Sequence, residues 1–200
     1  MEWRARFFEE STVFSAICEA ASLFADHETF PSPEEIDLAL HARAGVRFVR
    51  KEPREKVLYD TRIVSEGVVP TRVGSWHDFL NALVWATFPR AKAALHRRQF
   101  ELVVPHAPRR TKEQDALAML DEGGVFCLRP DAEVVFGHAI YESIVMSWRT
   151  PRGAGLDLGE GRAGDVDVRA ARAIDDRRRL RSPAELTRVA LDPPGTVPTP

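Results

Sequence analysis

Apolar positions change period several times along the chain, and the changes mark its elements. Near the start, Trp3, Phe7, Phe14, Ile17, Ala21 and Phe24 recur at steps of three, four and seven, predicting an amphipathic helix broken at Pro31. Ser32-Pro33-Glu34-Glu35 is a capping box with proline at the first helical position, which opens a helix to about Ala44. Gly45 is placed to close it. Val46 to Arg50 and Val57 to Val64 carry β-branched and aromatic residues in partial alternation and predict strands, and Gly67 to Gly74 reads as a loop. Ser75 then caps a helix whose stripe is Trp76, Phe79, Leu80, Leu83, Val84 and Phe88. Pro89 ends or kinks that helix and starts a basic one through Arg98.

Phe100 to Val104 predicts a short strand and Pro105 to Arg110 a loop. Thr111 and Gln114 form another capping box, for a helix closed by Gly123-Gly124. Val125 to Leu128 reads as a strand, Val134 to Phe136 is apolar, and Gly137 precedes a helix to about Trp148. Beyond Thr150 glycine, aspartate and arginine dominate, with short helices expected around Val166 to Asp176 and after Ser182. From Pro193 onward the chain reads as a poorly ordered tail. Helices and strands interleave irregularly, without a Gly-rich nucleotide loop. The expectation is therefore an α+β fold, with several helices on a small mixed or antiparallel sheet. The first 150 residues are expected to form one domain with its motif core at 69–142, and 151–200 a partly helical extension.

Composition adds limits. At 200 residues, 44% hydrophobic and 29% charged, the chain can bury one sizeable core. A formal charge of −2 provides no global field for nucleic acid or membrane. Arginine outnumbers lysine 24 to 4, which a GC-rich genome explains better than anion recognition does. No run approaches the roughly 18 apolar residues that span a bilayer. Glu2, Glu9, Glu10 and Glu19 interrupt any leader, so the expected location is cytoplasmic. Cys18 and Cys127 sit far apart in apolar contexts and are expected to be buried reduced thiols.

Three polar clusters lie inside otherwise apolar segments. In Trp76-His77-Asp78-Phe79-Leu80-Asn81, His77 and Asn81 share a helical face, and Asp78 sits where a helix dipole favours a carboxylate. In Gly137-His138-Ala139-Ile140-Tyr141-Glu142, the spacing of four puts His138 and Glu142 on one face, a geometry that chelates divalent ions and is also common as an idle polar pair. Asp115 opens the third cluster, which ends in Asp121-Glu122-Gly123-Gly124. Its two acids stand near a helix C-terminus, where the dipole disfavours them. Seven basic residues between Arg90 and Lys112 face one acid, Glu101. That stretch suits a phosphorylated small ligand or nucleic acid, and equally the wet face of a helix and a loop.

The runs Val69-Pro70-Thr71-Arg72, Trp76 to Trp85 and Phe88-Pro89-Arg90-Ala91-Lys92-Ala93-Ala94-Leu95 resemble the signature of an uncharacterised bacterial family, domain of unknown function 3025. Asp115-Ala116-Leu117, Asp121 to Gly124 and Phe136 to Glu142 are similar to it too. The segment between Leu128 and Phe136 is shorter than in that family, and the C-terminal end lacks its Pro-Gly-Trp-like finish. The resemblance implies a shared fold and no established activity. Its matching polar positions include the residues that the clusters had already singled out.

Together these readings predict a hydrolase-like, metal-assisted site for an anionic, phosphorylated substrate. His77, Asp78, Asn81, Asp115, His138 and Glu142 are the candidate catalytic residues. His77, Asp78, His138 and Glu142 would hold a divalent metal ion, and Arg72, Lys92 and Arg109 would receive the anion. The alternative is a binding module in which the same residues form a structural hydrogen-bond network.

Overall fold

The computed structural model describes residues 2–53, 57–103, 109–129, 132–147, 152–160 and 165–191. Their elements run α1 (Cys18–Ser22), α2 (Pro33–Ala44), β1 (Arg47–Arg50), α3 (Tyr59–Glu66), β2 (Val68–Thr71), α4 (Trp76–Thr87) and α5 (Pro89–Glu101). Then come α6 (Lys112–Gly123), β3 (Gly124–Arg129), β4 (Ala132–Val135), α7 (His138–Val145), β5 (Arg152–Glu160), α8 (Val166–Asp175) and β6 (Thr187–Ala190). The fold is α+β. Strands β1 and β2 pair in parallel, and a second sheet has the order β4-β3-β5-β6, parallel at β3–β5 and antiparallel elsewhere.

Helix α4 is the axis of the molecule. Nine of its twelve residues are buried, as expected for a helix surrounded by others rather than one lying on a surface. Its first turn packs into an aromatic cluster in which Trp3 stacks on Trp76 at 5.1 Å and Phe7, Phe24 and Phe30 meet Phe79 edge-on. The N-terminal stripe thus faces the core, although not as one helix. Ser11 is buried and accepts a bond from the Val13 amide, and the segment divides into two 3-10 turns, Phe7–Glu9 and Thr12–Ala16, before α1.

Several other elements differ from the sequence expectation. Val57 to Val64 is not a strand, since α3 begins at Tyr59 and buries only Ile63. A helix cap at Gly67, with φ 67°, ends it. The expected loop after Gly67 contains β2, where Pro70 is tolerated because the sheet has only two strands and both are edges. Phe100 and Glu101 finish α5 instead of starting a strand, and Val104 lies outside the described residues.

Beyond residue 150, β5 is an inner strand and β6 its partner. The sequence there is glycine-rich because space is short: a methyl group at Gly155 would overlap the Thr187 hydroxyl. Arg98, 1% exposed, fastens the end of α8 to α5 by donating to the Ile174 and Arg179 carbonyls at 2.6 Å each. The expected tail from Pro193 lies outside the described residues. Both cysteines are free, and Cys18 is exposed rather than buried. Among the described residues, no helix is long and apolar enough to cross a membrane.

Candidate metal centre

His77 stands in the first turn of α4, which Ser75 caps by accepting from the Asp78 amide. Helix α7 meets that turn with two side chains one helical turn apart, and they take the two nitrogens of the His77 ring. Glu142 Oε2 lies 2.8 Å from Nδ1, and His138 Nε2 lies 3.1 Å from Nε2. The sequence spacing that put His138 and Glu142 on one face therefore has a use: the pair grips one imidazole.

The third member comes from the helix-to-strand junction. Helix α6 passes into β3 without a loop, and Glu122 at that junction places Oε2 3.5 Å from His138 Nε2. One ligand atom each from His77, Glu122 and His138 lies within 4.8 Å of the other two. Gly137 makes this approach possible. A methyl group there would fall 2.5 Å from the Glu122 carbonyl oxygen and 2.6 Å from the Gly123 carbonyl carbon.

The electrostatics suit a cation. Burial takes the His138 pKa down to about 3, so the ring is neutral and can present a lone pair. Burial, and then the neighbouring Asp121 charge, hold the Glu122 carboxyl above its ordinary range. With Nδ1–H of His77 donated to Glu142, its Nε2 carries a lone pair, and the proton between the two facing Nε2 atoms belongs to His138. That assignment leaves His138 Nδ1 buried without a partner among the described residues.

Beside this group lies a cavity of about 350 Å³, lined in part by His77, Glu122 and His138. A buried network supports its wall. Lys92, fully buried, donates to Asn81 Oδ1 at 2.8 Å and Asp121 Oδ1 at 2.5 Å, and its ammonium lies 5.5 Å from the centre of the Trp85 ring. Burial raises the Asp121 carboxyl, but the Lys92 charge and hydrogen bond, with the nearby His96 and His138 rings, together outweigh it and the group stays well below the usual carboxylate range. Asn81 in turn donates to the Tyr59 hydroxyl at 2.9 Å.

Of the residues expected from the sequence, His77, His138 and Glu142 converge. Asp78 is drawn away, because both its oxygens are taken by the Arg72 guanidinium, at 2.7 and 2.9 Å, and one also by the Arg72 amide. Burial raises the Asp78 carboxyl, and these bonds more than offset it. Glu142 touches His77 on the side remote from the facing Nε2 atoms. Asn81 and Lys92 belong to the buried network, and Lys92 has no surface for an incoming anion. Asp115 is exposed in the first turn of α6, and Arg109 is exposed and outside the cavity wall, where Arg110 stands instead. Glu122 is the member the sequence did not assign. Its signal was the unfavourable place at a helix C-terminus. Three of the seven basic residues between Arg90 and Lys112 are spent internally, Lys92 on Asp121, Arg97 on Asp175 and Arg98 on Glu113.

Residues 46–135 match the sequence profile of a family described as "Protein of unknown function (DUF3025)". No curated protein matches the chain. Among solved structures, the chain is similar to phenylalanine hydroxylase of Chromobacterium violaceum, whose structure holds iron(III) and the oxidized cofactor 7,8-dihydrobiopterin. Identity is 16% and the TM-score 0.48, over 76% of this chain and 65% of that one. The present chain thus spans a little under two-thirds of that chain's length.

Proposed function

We propose that the protein is a metal-dependent enzyme that holds one divalent ion at His77 Nε2, His138 Nε2 and the Glu122 carboxylate, the His138 hydrogen moving from Nε2 to Nδ1 when the ion binds. The observation that supports this is the pair of facing Nε2 atoms, 3.1 Å apart, with a carboxylate oxygen 3.5 Å from one of them. For bonds of about 2.1 Å, those edges correspond to ligand angles of about 95° and 113°, within the range of octahedral and tetrahedral sites. The carboxylate on the far nitrogen of His77 supports it again, since a ligating histidine ordinarily donates its other N–H to such a group. Three protein ligands leave positions for water and substrate.

The reaction we assign is hydrolysis of a small anionic substrate. A bound ion lowers the pKa of its water enough to supply hydroxide near neutral pH. Glu142 fixes the His77 ring, burial keeps His138 neutral, and the cavity admits the substrate. One observation favours a second reading. Two histidines and one carboxylate are also the ligand set of non-haem iron(II) oxygenases. Each neighbouring carboxylate already has a partner, Asp78 on Arg72, Asp121 on Lys92, Glu142 on His77 and Asp60 on His96, so none of these is free to deprotonate water.

Elemental mass spectrometry of the purified protein, beside His77→Ala, Glu122→Ala and His138→Ala, tests the centre. Near-stoichiometric metal lost in all three variants supports it. Zinc or manganese with turnover of phosphoesters supports hydrolysis, and iron with oxygen uptake supports the second reading. A metal-free protein whose variants are only less stable overturns both and leaves a structural hydrogen-bond network.

A further inference from the structure

We propose that the cavity beside the metal centre contains a phosphate-binding subsite formed by Lys51, Arg110 and the Asp60-oriented His96, so that the substrate is a small phosphorylated molecule. The assignment of this substrate rests on the metal-centre reading, but the subsite itself can be measured without the ion.

The charges on the cavity wall do not balance. Asp78 is answered by Arg72, Asp121 by Lys92 and Glu122 by the proposed ion, while Asp60 is hydrogen-bonded to His96. Two lining cations remain, Lys51 and Arg110, with no ion-pair partner among the described residues. A small anion is the ligand that answers them.

A buried nitrogen on the same wall is also unanswered. His96 is 1% exposed and lines the cavity. Its Nδ1 lies 2.8 Å from Asp60 Oδ1, and its ring is stacked on Trp85 with 9° between planes, so its orientation is fixed. Its Nε2 is buried and has no partner among the described residues. A buried polar atom in that state calls for a bound group or a water. The Tyr59 hydroxyl adds a donor: its oxygen accepts from Asn81, and its own hydrogen has no acceptor among the described residues. Burial, with nearby carboxylates after it, holds that phenol protonated.

Arginine, lysine and hydroxyl donors around one space match the acceptor oxygens of a phosphomonoester, and the His96 Nε2 lone pair, left by the Nδ1 bond to Asp60, accepts from the P–O–H of its monoanion. A cavity of about 350 Å³ holds on the order of ten waters, which limits the ligand to a small molecule. The anion expected to bind at Arg72, Lys92 and Arg109 would instead meet a different trio, of which His96 and Arg110 lie in the basic stretch and Lys51 does not.

Calorimetric titration with inorganic phosphate, using the full chain with and without chelator, tests the subsite, with acetate as a control of lower charge. Phosphate binding that weakens by about tenfold or more in Arg110→Ala and His96→Gln, at unchanged metal content, is the expected result. Arg110 is exposed, so its variant keeps the test valid if His96→Gln fails to fold. No phosphate binding by a protein that carries metal overturns the subsite and leaves the centre standing. Phosphate bound equally by wild type and Arg110→Ala overturns it as well. Phosphate bound at Arg110 by a protein that takes up no metal refutes the centre and keeps the subsite.

Discussion

Replacing Lys92 by methionine removes one charge from the centre of the molecule at nearly constant shape. The ammonium is fully buried, sits 2.5 Å from Asp121 and bonds Asn81, so its loss strands a carboxylate and an amide oxygen together. Breaking one side of a buried pair costs about 3–5 kcal/mol, because the surviving charge keeps its desolvation without its attraction. For a chain of this length each kcal/mol moves the melting temperature by about 2–4 °C, so a fall of about 6–20 °C is expected. The pH dependence gives a second check. In the wild type the Asp121 pKa is depressed, so its contribution is present above the unfolded value and lost as pH falls through the folded one. Without Lys92, burial dominates and the pKa rises above the unfolded value, so the variant's deficit shrinks as the pH is lowered. Urea unfolding followed by circular dichroism at pH 7 and pH 4.5 measures both effects. A loss below about 1 kcal/mol at pH 7, or a deficit independent of pH, refutes the reasoning.

Other outcomes follow from the same contacts. Glu142→Gln is expected to weaken metal binding by about 10- to 100-fold while the fold persists, read by competition with a chelating dye. Gly137→Ala forces α7 away from the Glu122 carbonyl, and we expect a stability loss of about 1–3 kcal/mol together with weaker metal uptake. Arg98→Ala removes the donor that ties α5 to the end of α8, with an expected cost of about 3 kcal/mol and faster amide exchange in α8. Without metal, stability should fall as pH drops below about 6.5, because the unfolded chain binds a proton that His138 refuses until about pH 3. His138→Asn should flatten that slope, and an unchanged slope would show that another group carries it.

The helices with paired start and stop signals were legible in the sequence. Ser32 with Glu35, and Thr111 with Gln114, form reciprocal caps, and Gly45 closes α2 at φ 70°. Strands β1 and β3 were legible too, whereas β2, β5 and β6 were not, and α3 was taken for a strand. Strand β5 is built of residues chosen for close approach, and its glycines read as a loop. Helix α3 carries β-branched residues that tertiary packing overrides. At the candidate site the single-element spacing of His138 and Glu142 could be read locally. Glu122 could not, because its meaning depends on a contact between α6 and α7 that no local period encodes. Asp78 misled for the converse reason: its position suited a ligand, and Arg72, six residues earlier, had claimed it.

The three proposed ligands are separated by 45 and 16 residues and come from α4, the α6–β3 junction and α7. An ion bound there is a clasp across 62 residues of chain, and its binding free energy is added to the folded state alone. The folded population would then track the supply of that ion. In a cell short of the metal, the chain would open more often and meet proteases sooner, so its abundance would report metal status before any loss of catalysis was felt.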